Sequence, residues 1–343
     1  MATRAQVFEA SRLGIEAANT PGTAVPANLR LFCTSIDPSP EISNTPFAPT
    51  GGKADTDVLI GKEHTQAGLA GTISFYDLVY LYGSLLAPPT VVTAGGVSTF
   101  EFFPSMYEPD HGLLTFTVDT GSAAGATRFT NAFVNGMRHE FTPNAATFTG
   151  DMLGKKLLDG IALEANPTAV KKLPALGKGL KVEVGTATNA YTKLTRCMSA
   201  NLAITDRQDP VFCLDDAEDS FSTTAEKRPG RAAQIVVEQN TAADAYMTAL
   251  RAADTRFCRI TLTGPLIVVG TNYQIVWEFP FKFRQSRRGE NQSVHAGTYD
   301  MVPIYDATYG GWLKVTIKNS MVSAGTGGYL AMSEDTRLAA LGL

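Results

Sequence analysis

Tyr273-Gln274-Ile275-Val276-Trp277-Glu278-Phe279-Pro280-Phe281-Lys282-Phe283 is the stretch that decides the fold. Every odd position is large and apolar, while the even positions are Gln274, Val276, Glu278, Pro280 and Lys282. That is the two-residue period of a strand with one buried face. Just upstream, Ile260 and Leu262 alternate with Arg259, Thr261 and Thr263, and Gly264-Pro265 and Gly270-Thr271-Asn272 supply turn chemistry. Two long antiparallel strands are predicted. At ~3.3 Å per residue the second spans roughly 35 Å, more than a small sandwich needs. Such strands, greasy on one face and polar on the other, suit the wall of a barrel or of an assembly. Pro280 lacks a ladder donor, which predicts an edge or a bulge there.

The chain of 343 residues has room for two domains with proper cores. Only 18% of residues are charged against 44% apolar, so much of the surface is expected to meet protein rather than water. The net charge of −4 gives no electrostatic reason to expect nucleic-acid affinity. The charge is split: residues 1–165 hold 9 Lys+Arg and 16 Asp+Glu (9 − 16 = −7), and residues 166–343 hold 20 and 17 (20 − 17 = +3). Halves of opposite sign favour alternation around a ring; unpatterned sampling gives the same imbalance. Cys33, Cys197, Cys213 and Cys258 stand far apart with no C-x-x-C, as reduced thiols do. Met1–Asn19 carries Arg4, Glu9, Arg12 and Glu16 and does not read as a signal peptide. No stretch approaches eighteen apolar residues, so no membrane span is expected.

Along the chain, residues 1–18 read as an arm or short helix and residues 37–62 as a long loop rich in Pro, Gly, Ser and Thr. A helix is predicted over Tyr76–Leu86, with strands before and after it. The second half repeats that order. A strand at Leu194–Ala203 leads into a second polar loop, 205–229, then a strand at Gln234–Glu238 and a helix over Thr241–Ala253 with Thr241 as N-cap. Leu31-Phe32-Cys33-Thr34-Ser35 aligns with Thr195-Arg196-Cys197-Met198-Ser199 at an offset of 164 residues (199 − 35 = 164). An internal duplication follows, with domains 1–165 and 166–343, a linker over Ala162–Lys181 and a terminal tail or short helix from Ser333.

Chemistry is harder to find. His64, His111, His139 and His295 share no metal-ligand spacing, and no G-x-S-x-G, P-loop or G-x-G-x-x-G is present. Neither an enzyme, a cofactor nor a metal site is expected. Asp215, Asp216, Glu218 and Asp219 lack the alternate ligand spacing of a calcium loop. They share the 205–229 region with Glu226, Lys227 and Arg228, and Arg231 follows. A loop with both signs can dock head to tail on a copy of itself; charge balance on an exposed loop is the plainer reading. Arg284, Arg287 and Arg288 suit a neighbour's acidic residues as well as they suit nucleic acid.

Leu13-Gly14-Ile15-Glu16 followed by Pro21-Gly22-Thr23-Ala24 resembles the opening of the major tail tube proteins of long, non-contractile tailed bacteriophages (siphophages). Thr115-Phe116-Thr117-Val118, Asn131-Ala132-Phe133-Val134-Asn135-Gly136 and Thr147-Phe148-Thr149-Gly150-Asp151-Met152 are similar to that family's later strands. The helix after Gln234–Glu238 and the run Arg288-Gly289-Glu290-Asn291 fit too. The resemblance covers most of the chain through its order of elements. Two such domains resemble the duplicated members, whose trimeric rings imitate a hexamer.

The resemblance implies two tandem β-sandwich domains, mainly β with flanking helices, whose strands join those of neighbours into a lumen-lining barrel. It implies a virion tail protein assembled in the host cytoplasm, stacked as homotrimeric rings. Its partners would be copies of itself and the tape measure, tail terminator and tail tip proteins, with genomic DNA passing through unbound. The long loops would reach the adjacent ring, with Asp215, Asp216, Glu218, Asp219, Lys227, Arg228 and Arg231 as contacts. Gln274 and Glu278 are the candidate lumen surface, on a wall made negative to repel phosphates; an outward-facing position is the lesser alternative. A capsid-associated or head–tail joining protein shares the low charge and duplicated β domains, and a carbohydrate-binding sandwich would need an exposed aromatic platform.

Overall fold

A computed structural model describes residues 9–51, 53–106, 111–122, 125–215, 217–239, 241–323 and 332–334. The protein is mainly β with two flanking helices, the class predicted from the hairpin and helix spacing. Its strands begin with β1 (Glu9–Ile15), β2 (Leu29–Arg30), β3 (Thr34–Phe47) and β4 (Asp57–Thr72). After α1 (Asp77–Leu85) come β5 (Thr90–Ala94), β6 (Val97–Phe102), β7 (Phe116–Ser122), β8 (Gly125–Phe141), β9 (Ala146–Gly154) and β10 (Leu158–Asp159). The second half contains β11 (Thr168–Ala169), β12 (Leu180–Gly185), β13 (Tyr191–Lys193), β14 (Cys197–Thr205), β15 (Gln208–Val211), β16 (Thr223–Glu226) and β17 (Gly230–Glu238). Following α2 (Thr241–Ala252) are β18 (Arg256–Val268), β19 (Thr271–Asn291), β20 (Val294–Pro303) and β21 (Lys314–Asn319).

Hydrogen-bonded neighbours build one long sheet in the order β3-β4-β9-β8-β14-β17-β20-β19. Two sheets form a layer behind it. One runs β13-β12-β18-β19-β21-β6-β5, the other β2-β1-β7-β8-β10. The strands β8 and β19 belong to both layers, each entering from a back sheet and leaving in the long sheet. Among the described residues no sheet closes into a barrel. The long sheet therefore ends in two open edges, β3 and residues 282–291 of β19.

The pairings repeat. β12-β18-β19 follows the pattern of β1-β7-β8, and β14-β17-β20-β19 follows that of β3-β4-β9-β8, with α2 after β17 where α1 comes after β4. Register repeats with them: Arg138 opposite Thr149 matches Arg287 opposite Thr298, each two residues before an aspartate, Asp151 or Asp300. Ser35 opposite Ala70 matches Ser199 opposite Val236. The two halves are nonetheless joined by the β8–β14, β6–β21 and β2–β11 pairings and share one hydrophobic core.

At the centre of that core the fully buried Trp277 packs its ring 5.0 Å from Phe141 and 5.6 Å from His139. Its Nε1–H donates to Tyr82 Oη at 2.5 Å, and Tyr82 lies 2.8 Å from His139 Nε2. With its oxygen accepting from the indole, Tyr82 donates to the imidazole, which places the remaining ring proton of neutral His139 on Nδ1. Burial pushes the His139 pKa down to about 4, consistent with a neutral ring. Tyr82→Phe leaves the indole donor and the imidazole acceptor unmatched, and is expected to cost about 3 kcal/mol in denaturant unfolding.

Several sequence expectations change. Glu9–Ile15 is a strand rather than part of a helix, because Ser11, Arg12 and Leu13 are all buried between β7 and neighbouring chain, not along one helical stripe. Residues 1–8 lie outside the described residues. The expected loop 37–62 is mostly a β-hairpin, β3 with β4. Pro38 and Pro40 hid it from propensity, yet they are tolerated because Ile36 N–H points away from β4, to Ser11 Oγ at 3.2 Å. The nitrogens of Pro38 and Pro40, two and four residues on, face the same open edge. The 205–229 region holds the paired strands β15 and β16. Met332–Glu334 pairs with Met321–Ser323 where a tail or helix was expected, and residues 335–343 lie outside the description. The side chains of Thr241, Ala243 and Asp244 lie outside it as well.

Pro280 sits at neither an edge nor a bulge. Its carbonyl accepts from Ile304 N at 2.9 Å, so its donor-less nitrogen faces the same side, in the gap where β21 stops pairing at Glu278 and β20 begins at Phe281.

The predicted first helix is wholly buried and is held through its first turn. Asp77 accepts from Cys33 N at 3.1 Å and Thr34 Oγ1 at 3.0 Å, and burial pushes its pKa up to about 6 from an ordinary 3.8. Folding favours the protonated acid, so its contribution is full below the ordinary value and is lost as pH rises through about 6. The advantage of wild type over Asp77→Asn is expected to shrink by about 3 kcal/mol between about pH 4 and pH 7 in denaturant titrations.

Candidate functional site

The long sheet turns Met137, His139 and Phe141 inward and Arg138 and Glu140 outward. Its outer face is made of small and polar groups, among them Ser35, Gln66, Ala70, Thr149, Asn201 and Gln234. The charges on it include Asp37, Glu41, Glu140, Asp151 and Asp300 against Arg138, Lys282 and Arg287 (3 − 5 = −2). Side chains cross-link along it: Asn201 to Gln234 at 3.4 Å, Gln234 to Asp300 at 2.6 Å, and Arg287 to Asp300 at 3.0 Å. Burial raises the Asp151 carboxyl pKa. The result is a weakly acidic wall whose aromatic groups are gathered at one end, where Phe133 lies under Phe221 and His64 meets Phe212.

Gln274 and Glu278 do come together, but on the outer face of the back sheet that contains β19. That face interleaves Lys181, Arg259, Lys314 and Lys318 with Glu101, Glu183 and Glu278 (4 − 3 = +1). Arg259 Nε reaches Glu183 at 2.7 Å and Lys314 reaches Glu101 at 2.7 Å. Burial raises the Glu278 carboxyl pKa, opposed by Arg259 and Lys314. A face of paired charges with a small basic excess is not the negative wall expected of it; the tertiary pairing of β12, β18 and β21 around β19 supplies those cations.

The two expected loops meet each other. β4 pairs with β9 only over Thr65–Thr72, so the β3–β4 hairpin leaves the sheet as a two-stranded arm. Its base is clamped by the 212–219 segment. Lys62 Nζ donates to the carbonyls of Asp215 at 3.0 Å and Glu218 at 2.5 Å, Glu63 N donates to Asp219 O, and His64 packs edge-on to Phe212. Lys155 and Lys156 pair with Glu218 at 3.3 Å and Asp219 at 2.8 Å. Two of the acidic side chains singled out in this loop, Glu218 and Asp219, thus pair with lysines that follow β9 in their own chain, while the arm itself is held through backbone carbonyls; Asp216 lies outside the described residues. Nothing in the spacing of Lys62, Lys155 and Lys156 announced them as the cations.

Beyond Gly61 the arm projects about 15 Å at ~3.3 Å per residue. Cross-strand pairing puts Pro46, Val58 and Ile60 on one of its faces and Phe47 and Leu59 on the other. Ile60 is 77% exposed and the rest of these aliphatic and aromatic side chains, Phe47, Val58 and Leu59, are at least half exposed. An isolated ribbon is marginal in water, and this one exposes apolar groups on both faces.

The basic residues of the second loop line a cavity of about 520 Å³ instead of facing the acidic ones. Arg207 reaches Glu226 at 2.7 Å and Lys227 reaches Asp209 at 2.5 Å. Arg231 stacks its guanidinium 5.1 Å from the centre of the Trp312 ring; burial and the like charge of Arg228 lower its pKa. Asp215, Glu218 and Asp219 therefore belong to one surface, and Lys227, Arg228 and Arg231 to another.

No family model matches the chain, and no curated protein is significantly similar to it. The clamp carries its own test. Lys62→Ala is expected to raise amide exchange and proteolysis within 40–62 and 212–219 together, with unfolding free energy changed by less than about 1 kcal/mol. Protection lost in only one of the two segments would separate them.

Proposed function

We propose that the protein is the structural subunit of a phage tail tube, assembling by itself into stacked rings around a channel for genomic DNA. The observation that carries this reading is the unclosed eight-stranded sheet. It has one polar, small-residue face whose aromatic groups are confined to the end covered by the 212–221 segment, and its two edges carry opposite charge. A sheet of this kind satisfies its edges by pairing with copies of itself, and a head-to-tail contact closes as a ring.

In that ring the outer face of the long sheet lines the lumen, in place of the Gln274 and Glu278 face. Its small acidic excess repels phosphate, so DNA passes without sticking. The arm, apolar on both sides, fits between subunits or between successive rings. Repeated strand pairing within one chain favours three copies per ring, each supplying two equivalent units. The order of sequence motifs shared with siphophage tail tube proteins supports the reading. Virion tail localisation and contacts with tape measure, terminator and tip proteins follow from it as family expectations.

The test is negative-stain electron microscopy of the purified protein as concentration is raised, with and without tail-tip complexes as initiators. Hollow tubes of uniform width with three-fold averaged cross-sections are expected. Closed shells or isolated short rings under both conditions would instead favour a capsid-associated or head–tail joining protein.

A further inference from the structure

We propose that residues 286–290 of β19 in one copy pair antiparallel with residues 36–40 of β3 in the next, at the register already used inside each chain by β8 and β14. The proposal rests on the self-assembly reading and specifies the contact that closes it. Within the chain, the first four-stranded unit ends on β8 and the second begins on β14. The two meet with Met137 opposite Ile204, Arg138 opposite Ala203, His139 opposite Leu202 and Phe141 opposite Ala200. The strand equivalent to β8 is β19, and the strand equivalent to β14 is β3. Among the described residues these are the two edges left without a partner strand.

Register can be carried across because two equivalences are independent of the junction. Arg138 and Arg287 correspond through their partners Thr149 and Thr298, an offset of 149 (287 − 138 = 149). Ser35 and Ser199 correspond through Ala70 and Val236, an offset of 164 (199 − 35 = 164). Arg138 opposite Ala203 then becomes Arg287 opposite Ser39 of the next copy. Asp37 and Glu41 fall on the two diagonals of Arg287, on the same outer face, where long side chains reach each other.

Charge and backbone chemistry both exclude the alternatives. Residues 282–291 carry Lys282, Arg284, Arg287 and Arg288 against Glu290, whereas β3 carries Asp37 and Glu41 and no basic residue. Two β19 edges would set like charges opposite each other. Two β3 edges would face each other almost without donors, since Pro38 and Pro40 have none on that side and Ile36 N–H is taken by Ser11 Oγ. The carbonyls of residues 36 and 40 still accept, and the β19 amides at 290 and 286 donate to them. The junction is one-way in its hydrogen bonds, so only head-to-tail pairing is satisfied.

The test uses two full-length proteins in a Cys213→Ser background, one with Ser39→Cys and one with Arg287→Cys. In this register these positions form a non-hydrogen-bonded pair with Cα atoms about 4.5 Å apart, within disulfide reach. Under mild oxidation the mixture is expected to give a covalent dimer, while each protein alone gives none. Assembly without that dimer, or with homodimers of either single-cysteine protein, would overturn the junction and leave self-assembly standing. No association in sedimentation at any concentration, with or without tail-tip complexes, would overturn both. Should either cysteine variant fail to fold, Asp37→Lys combined with Glu41→Lys is the second test. It is expected to weaken association about tenfold with an unchanged melting temperature, and unchanged association would sink the proposal.

Discussion

The structure depends on β19 serving two layers at once. Its first half is hydrogen-bonded between β18 and β21, its second half to β20, and Pro280 lies where the partner on one side changes. A residue without an N–H costs least where no partner strand is present to accept it. Because β19 crosses from the back layer to the front, Trp277 can project into the core between them and meet Phe141 and His139 of β8. The equivalent crossing by β8 lets the first unit end beside the second.

From that crossing follows the character of the surfaces. Side chains alternate, so each face of the sandwich inherits the polar half of its strands. On the back sheet these become ion pairs, because strands from distant parts of the chain bring Lys181, Arg259 and Lys314 beside Glu183, Glu278 and Glu101. On the long sheet they remain small and uncharged for the most part, with a modest acidic excess. The edges are managed differently again: prolines strip donors from β3, and arginines guard β19. A donor-poor β3 edge pairs poorly with another β3, and two β19 edges would set like charges against each other.

The hairpin and both helices were legible because their apolar spacing survives without tertiary context. The β3–β4 arm was not, since most of it meets solvent on both faces in one chain and so lacks alternation; its prolines completed the disguise. The sequence alignment placed Cys33 with Cys197, whereas the repeated strand pairings have a clearer sequence counterpart elsewhere. Thr149-Gly150-Asp151-Met152 and Thr298-Tyr299-Asp300-Met301, each preceded by an arginine eleven residues upstream (149 − 138 = 11; 298 − 287 = 11), occupy the same places in the two units. The candidate residues of the 205–229 region were read as one group because they are close in sequence. The fold separates them, sending the acidic ones to the arm and the basic ones to a cavity lined by Trp312.

Local periodicity by itself determined the mainly β class, the positions of the helices and which face of β19 is buried, since these depend on neighbours within a few residues. Tertiary structure alone decided which polar face carries cations, which strands stand at open edges and which lysines clamp the arm. Those outcomes depend on pairings between residues as distant as Lys314 and Glu101 (314 − 101 = 213), and no spacing within one strand records which other strand will lie beside it.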